Sequence, residues 1–322
     1  MEIKDFVCNL TQEIQRIVRP HLGKISSRAA SGQAVGGDTT FVIDDYAEEF
    51  LERALEKEGN IAFYSEDKGL ISFGKPEFVL IVDPIDGTRP AAAGLESCCV
   101  SVGVTKYRQK PLMKDVFLGC IQEIKNETLF SAERGKGVKI SKNGAEIRPI
   151  LSNETDLRNL FWCIGFRGRP ARPLVAVLGD LIDISSVDGG VFDLGSACFS
   201  MTRLITGQMD AYIDIGKQIM DEVAWVKKEF ERVGRGSILN NNPYDIVAAT
   251  LIAQEAGCII TDGYGNSIDD FPVLGSGPEY QFSTVGATNA AVHQQIVEEV
   301  RLGIERLKQT DPDALKSLSN KF

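Results

Sequence analysis

Two carboxylates stand three residues apart in Asp83-Pro84-Ile85-Asp86-Gly87-Thr88, directly after the apolar run Phe78-Val79-Leu80-Ile81-Val82. The run reads as a buried strand, and Pro84 and Gly87 shape the turn that ends it. Acids at a strand end are suited to a hard cation. Mg²⁺ takes carboxylate and carbonyl oxygens and keeps waters and substrate phosphate as its other ligands. Thr88 is expected to cap a short helix through Pro90, Ala91, Ala92 and Ala93, closed by Gly94. The amides of Gly87, Thr88 and Arg89 would then face an anion. One loop would supply both metal ligands and a phosphate cradle. A solvated Asp-rich turn can carry the same letters; the preceding strand and the acids elsewhere in the chain favour the functional reading.

Three further acidic stations match it. Asp44 opens an expected helix after Thr40, Glu66 follows the strand-like Ile61–Tyr64 in Ser65-Glu66-Asp67, and Asp245 begins a helix in Tyr244-Asp245-Ile246-Val247-Ala248-Ala249. Each alone reads as an N-cap or a loop acid. Their joint occurrence at element ends is the signal.

The elements that must position these acids follow from periodicity. Phe6, Val7, Leu10, Ile14, Ile17 and Val18 recur at helical spacing, so the chain opens with an amphipathic helix. Ser26–Gly37 reads as a small-residue loop and 44–57 as a second helix. Strands are expected at Asn60–Tyr64, Phe78–Val82, Cys98–Thr105, Val116–Glu123 and Thr128–Ser131, the last three as an antiparallel meander. After about residue 150 strand-like and helix-like segments alternate: helix Leu174–Leu181, strand Met209–Asp214, helix Ile246–Ala256, strands Cys258–Thr261 and Phe282–Gly286, and a final helix Asn289–Gln309. At 322 residues the chain exceeds the size at which one core usually stops growing. Two parts are expected: 1–150, α+β with an antiparallel sheet and most metal ligands, and 151–322, α/β with substrate contacts and one metal ligand.

Composition narrows the function. A net charge of −10 argues against a nucleic-acid partner. No apolar run approaches membrane-spanning length. Seven cysteines, an odd number with no C-x-x-C pair, suggest free thiols in a reducing cytoplasm. The two histidines, His21 beside Pro20 and His293 among Gln and Glu, read as solvated, which nearly removes Ser-His-Asp, Cys-His and His-rich zinc chemistry.

With these pieces in place the chain resembles the inositol monophosphatase/fructose-1,6-bisphosphatase superfamily of Mg²⁺-dependent, lithium-sensitive phosphatases. The resemblance rests on Gly37-Asp38-Thr39-Thr40 with Asp44, Ser65-Glu66-Asp67, Asp83-Pro84-Ile85-Asp86-Gly87-Thr88, Gly135-Lys136-Gly137, Gly195-Ser196-Ala197, and Asp245-Ile246-Val247-Ala248-Ala249 with Glu255-Ala256-Gly257. These run in family order over nearly the whole chain. The D-P-I-D-G-T piece is specific, and the small-residue pieces are weak alone. The resemblance implies an α/β fold of layers α-β-α-β-α. It implies Glu66, Asp83 and the Ile85 carbonyl as ligands of one Mg²⁺, and Asp83, Asp86 and Asp245 as ligands of a second. Two or three ions are expected, with Mn²⁺ able to substitute. Asp44 and Thr88 resemble the pair that orients and deprotonates the attacking water. Gly87 and Thr88 would hold the phosphate, and Gly195, Ser196 and Asp214 would meet the substrate's hydroxyl groups.

The expected activity is hydrolysis of a small sugar or polyol phosphate by a metal-activated water. Alternatives are a fructose-1,6-bisphosphatase, a nucleotide 3′-phosphatase or a non-catalytic sugar-phosphate binder. The partner is a small phosphate ester, and the superfamily is commonly dimeric. The haloacid-dehalogenase pattern fails because Pro84 stands where its nucleophile belongs; the tyrosine-phosphatase pattern fails for want of a Cys with Arg six residues on.

The chain departs from the family in several places. Arg89-Pro90-Ala91-Ala92-Ala93 replaces the usual polar-aromatic run, and Asp67 stands where a second Glu is usual. The stretch from Asp214 to Asp245 is long; Asp221 in Asp221-Glu222-Val223-Ala224 rivals Asp245 as metal ligand, and Asp245 is preferred because Glu255-Ala256-Gly257 follows it. Residues 217–242 then form an insertion, whose helix Met220–Arg232 either packs on its own domain, covers the site or meets a second subunit. Arg167, Arg169 and Arg172 cluster in a Gly- and Pro-rich loop, either as a solvated rim or as a clamp for a second phosphate, with Arg167 counted among the substrate contacts.

Overall fold

A computed structural model describes residues 2–35 and 37–312. Among these residues the helices are α1 (Ile3–Val18), α2 (Val42–Glu58), α3 (Thr88–Ala93), α4 (Ala171–Ile184), α5 (Ala197–Thr202), α6 (Gly216–Glu222), α7 (Val226–Val233), α8 (Pro243–Glu255) and α9 (Ala290–Gln309). The strands are β1 (Ala30–Gln33), β2 (Thr39–Phe41), β3 (Ile61–Ser65), β4 (Gly69–Ser72), β5 (Phe78–Asp86), β6 (Cys99–Lys106), β7 (Leu118–Glu123), β8 (Thr128–Glu133), β9 (Val138–Lys142), β10 (Ala145–Ile147), β11 (Phe161–Ile164), β12 (Gly190–Phe192), β13 (Ala211–Asp214), β14 (Ile259–Thr261) and β15 (Thr284–Ala287).

Strand pairing and burial stack these into five layers. An eight-stranded sheet, order β10-β9-β8-β7-β6-β5-β3-β4, is antiparallel except where β3 runs parallel to β5. A five-stranded sheet, order β12-β11-β13-β15-β14, is parallel across its first three strands and antiparallel beyond. α1 and α2 cover one face of the large sheet, burying Val7, Leu10 and Ile14 of the first and Ile43, Ala47, Leu51 and Leu55 of the second, each set one turn apart. α4, α6, α7 and α9 cover the outer face of the small sheet. α5 and α8 fill the space between the sheets, in a core that draws Tyr64, Ile81 and Phe130 from before residue 150 and Phe199, Tyr212 and Tyr244 from after it. The expected α-β-α-β-α layering is thus the observed one.

α8 shows why a middle layer reads differently from an outer one. It has no polar face: Pro243 through Ala253 are all buried. Its backbone lies close against β6 and β7 because those strands carry glycine there. A Cβ on Gly119 would come within 2.9 Å of the Ala248 carbonyl oxygen, and one on Gly103 would collide with Val247.

Three local expectations need correction. The loop Ser26–Gly37 contains a 3₁₀ turn at Ile25–Arg28 and strand β1, which pairs with β2. β1 is exposed at every position, so it carries no apolar alternation to betray it. The helix Met220–Arg232 is two helices, because Val223 adopts an extended conformation (φ −121°, ψ 90°). The break turns Val223, Val226 and Phe230 into the core shared with α4 and α9, so the insertion packs on its own half. His293 is buried and its Nε2 lies 2.8 Å from the Thr261 hydroxyl, while His21 stacks on Tyr46.

Candidate active site

β5 is the longest strand of the large sheet, and its pairing with β6 slips between Asp83 and Asp86. Such an irregularity bends a strand and re-aims its side chains. Here it turns two consecutive acids of the sequence motif toward the middle layer. Gly87 follows at φ 92°, a left-handed conformation; a Cβ there would meet the Ser97 carbonyl at 2.5 Å. Gly87, not Thr88, is therefore the N-cap, and Thr88 is the first residue of α3, which ends at left-handed Gly94.

Asp245, at the third position of α8, is brought to this turn from 159 residues away. Carboxylate oxygens of Asp83, Asp86 and Asp245 all lie within 4.8 Å of one another, on side chains that are buried. Asp245 is fixed by the Asn242 amide, which donates to it at 2.6 Å. Asp86 accepts from the Ser196 hydroxyl and the Cys198 amide, both at 2.6 Å. Asp83 accepts from the Ile85 amide at 3.0 Å. Glu66, at the end of β3, Ile85 and Thr88 line the same cleft, as do Gly87 and Gly195. Asp221 lies outside it, exposed and paired with Lys217, so of the two rivals only Asp245 joins the acids.

Burial without compensation raises the proton affinity of every acid here. Desolvation, then repulsion from Asp86, Glu66 and Asp245, pushes Asp83 well above the ordinary carboxylate range. Desolvation, with the Asp245 charge next, does the same to Glu66. Desolvation carries Asp245 to about 7 against the opposing pull of Arg167, and Asp86 to about 6 against its hydrogen bonds from Ser196 and Cys198. Buried like charges of this kind must be protonated or neutralised by cations. An all-oxygen donor set suits Mg²⁺. The residues present therefore fit a divalent cation.

Asp44, in the first turn of α2, accepts from the Phe41 amide at 2.8 Å and is pushed to about 7, mainly by desolvation. Thr88 is near enough to oppose that shift, and its hydroxyl donates to the Ile85 carbonyl at 3.2 Å.

A second wall closes the cleft. Asp214, at the end of β13, is 1% exposed, and both its oxygens receive the Arg169 guanidinium. Arg169 also donates to the carbonyls of Arg167 and Leu239 and to Asn241, so all five of its donors are used. Ser196 both holds Asp86 and caps α5 by accepting from the Phe199 amide at 3.1 Å. Asp214 and Ser196, expected to meet substrate hydroxyls, are thus engaged within the protein, although both line the cleft. Arg167 and Arg89 converge on Asp38, and Arg172 stands in the first turn of α4. Arg167 and Arg169 are therefore engaged within the protein rather than forming a solvated rim.

Sequence reasoning gave no role to Asp38 or the Cys198 amide, and it placed Arg169 in a rim or clamp rather than on Asp214. Asp38 sat inside a quoted motif, and an acid partner for Arg89 was the signal to look for. Two pieces noted only as family marks turn out to touch: the Glu255 carboxylate accepts from the Gly135 and Gly137 amides at 2.7 and 2.9 Å, tying the large sheet to the end of α8.

The layered architecture and the buried carboxylate cluster at a strand bulge define a site suited to a divalent cation. The model of the inositol monophosphatase family matches residues 2–304, and the chain belongs to that family. It is 25% identical to a fructose-1,6-bisphosphatase/inositol-1-monophosphatase of Thermococcus kodakarensis, over 82% of this chain and 86% of that one. It is also 25% identical to a bifunctional NADP phosphatase/NAD kinase of Methanococcus maripaludis, over 84% of this chain but only 45% of that protein, so it spans about half the length of this relative. The Thermotoga maritima inositol monophosphatase superposes with a TM-score of 0.68 at 19% identity, covering 95% of this chain and all of that one, which shows the shared fold.

Proposed function

We propose that the chain hydrolyses a small sugar or polyol phosphate, with two or three Mg²⁺ ions held by Glu66, Asp83, the Ile85 carbonyl, Asp86 and Asp245, and with Mn²⁺ able to substitute. The observation that carries this reading is the convergence of Asp83, Asp86 and Asp245 within 4.8 Å in a buried cleft that Glu66 and Thr88 also line. When bound, the cations would neutralise phosphate charge and make a water a better nucleophile. The chain's own residues do the rest. Gly87 and Thr88 cradle the phosphate. Thr88 orients the attacking water and relays its proton to Asp44, whose desolvated carboxylate, poised near neutrality, suits a general base. Water attacks phosphorus, the ester oxygen leaves with a proton, and alcohol and phosphate are released. Gly195, Ser196 and the Asp214–Arg169 pair face the alcohol moiety.

The names of the relatives support a fructose-1,6-bisphosphatase as the second reading. The free cysteines support a cytoplasmic location, and no helix among the described residues is long and apolar enough to cross a membrane. Family likeness supports a homodimer. Phosphate release from a panel of inositol, sugar and nucleotide phosphates tests the reading, with Mg²⁺, chelator or lithium present. Release should need Mg²⁺ and fall with lithium. Thr88→Ala should lower kcat by about 10²–10⁴-fold, the scale of general-base assistance. Full release in excess chelator would refute the reading.

A further inference from the structure

Cys8 and Cys120 meet between the first helix and the large sheet, their sulfurs 3.6 Å apart although 112 residues separate them in sequence. Two local rules bring them together. Along β7 successive side chains alternate in face. Gly119 and Ile121 turn to the middle layer, and Leu118 and Cys120 to the core beneath α1 and α2. On α1, Cys8 stands between Lys4 and Thr11, about one turn from each, in a row that neighbours on a helix share. Lys4 is fixed by Glu133 of β8 at 2.7 Å. The Thr11 hydroxyl donates to the Cys8 carbonyl at 2.9 Å and lies 3.5 Å from the Cys120 sulfur. Both ends of the row are held, so the two sulfurs face each other.

The thiols differ in a way that divides the work between them. Cys120 is fully buried, whereas Cys8 is half-buried and alone among the seven cysteines in keeping access to solvent. The hydrogen bond from Cys120 holds the Cys8 thiol below its ordinary value against the cost of burial, and the Lys4 charge adds to that pull. Donation to Cys8, with burial next, pushes Cys120 well above the ordinary thiol range. Burial likewise lifts Cys98, Cys163 and Cys258 to about 12. The thiolate is the attacking form. Cys8 is thus the sulfur that a dissolved oxidant reaches, and Cys120 the one behind it.

Independently of the phosphatase reading, we propose that Cys8 and Cys120 are a site of reversible oxidation, at which a small disulfide such as oxidised glutathione converts the pair into a bond that staples α1 to β7. The Cys8 thiolate attacks one sulfur of the oxidant, and one glutathione leaves as its thiolate. Cys120 then loses its proton and attacks the Cys8 sulfur, and the second glutathione leaves. The two protons pass through solvent to the departing thiolates. The protein loses two electrons and gains one S–S bond; the oxidant takes up both electrons, and its own S–S bond breaks. Sulfurs already in contact need only close to about 2.0 Å. In a reducing compartment such a bond is transient, which makes the pair a sensor rather than a permanent link. While it lasts, the bond restricts the unfolded chain over a long loop and so stabilises the fold.

The test uses the full chain, reduced, desalted and then exposed to oxidised glutathione. Free thiols counted after denaturation should fall from seven to five. Peptide mapping should find Cys8 joined to Cys120, and the thermal midpoint should rise by about 4 °C or more. Dithiothreitol should reverse all three changes. Cys8→Ser should keep all its thiols and show no shift. Cys120→Ala should stop halfway, with one glutathione retained on Cys8; Cys120→Ser serves in its place if Cys120→Ala lacks a cooperative thermal transition. Seven thiols surviving in the unmodified chain, a bond between other cysteines, or glutathione retained on its Cys8 without a link to Cys120 overturns the site. A Cys8–Cys120 bond that leaves the midpoint level or lower overturns the staple.

Discussion

The two walls of the cleft handle charge in opposite ways. On one wall Glu66, Asp83, Asp86 and Asp245 face one another; among the described residues none of them has an ion-pair partner, and burial drives their proton affinity up despite the more distant pull of Arg167 and Arg89. On the other, Asp214 and Asp38 are equally buried, yet each is met by arginine. The first wall is an incomplete electrostatic system that an external cation finishes. The second is complete in itself. An incomplete wall can bind metal and do chemistry; a complete one fixes shape. The acids of the first wall are those that carry the family resemblance. Arg89, on the second, belongs to the Arg89–Ala93 departure from it.

The largest expected effect breaks the first wall. Asp245→Asn should abolish turnover in Mg²⁺, while Asp221→Asn, at an exposed residue paired to Lys217, should leave most of it. Mg²⁺ affinity by calorimetry should fall in the first variant only. The reverse pattern would move the metal site into the insertion and void the contrast.

The second wall should break in stability. Arg169→Leu strands Asp214 at 1% exposure with its partner gone. Removing one member of a buried pair costs about 3–5 kcal/mol, read as a lower midpoint in urea. Arg169→Leu combined with Asp214→Leu should recover part of that loss, since no lone charge remains buried. A loss no greater in the single than in the double variant would mean that Asp214 reaches water.

These walls were unequally legible. Asp83, Asp86, Glu66 and Asp44 sit where local sequence ends a strand or starts a helix, so their places follow from short-range pattern. Asp245 was legible through Glu255-Ala256-Gly257, because one helix fixes the spacing between them. The layers were legible too, although α8, buried on all sides, lacks the amphipathic period that marked α1. The arginine pairs were not. Arg169 meets Asp214 across 45 residues and Arg167 meets Asp38 across 129, and which acid an arginine finds is settled by tertiary packing alone. The break at Val223 was hidden likewise, because the residue is an acceptable helix former and only its burial against α4 and α9 bends the chain.

The smallest effect sharpens the contrast without changing an atom of the protein. Asp44 and Asp245 are raised to about 7 and Asp86 to about 6, mainly by desolvation, whereas an unfolded chain titrates its carboxylates near 4. Between about pH 4 and 7 the folded chain without metal therefore holds more protons than the unfolded one. Stability must then fall as pH rises through that window. Cations at the carboxylate wall replace those protons and remove the penalty. In chelator the thermal midpoint should drop by several degrees between pH 5 and 7.5, and in Mg²⁺ it should drop less, so that the stabilisation by Mg²⁺ grows with pH. Asp245→Asn, which removes one repelling charge, should flatten the chelator curve. Glu48, buried on α2 away from the cleft and likewise raised to about 7, adds to the slope in both conditions, so the part that Mg²⁺ removes is the share of the carboxylate wall. A midpoint in chelator that stays level or rises over this range would show that the acids are already neutralised from within, and the two walls would then not differ in kind.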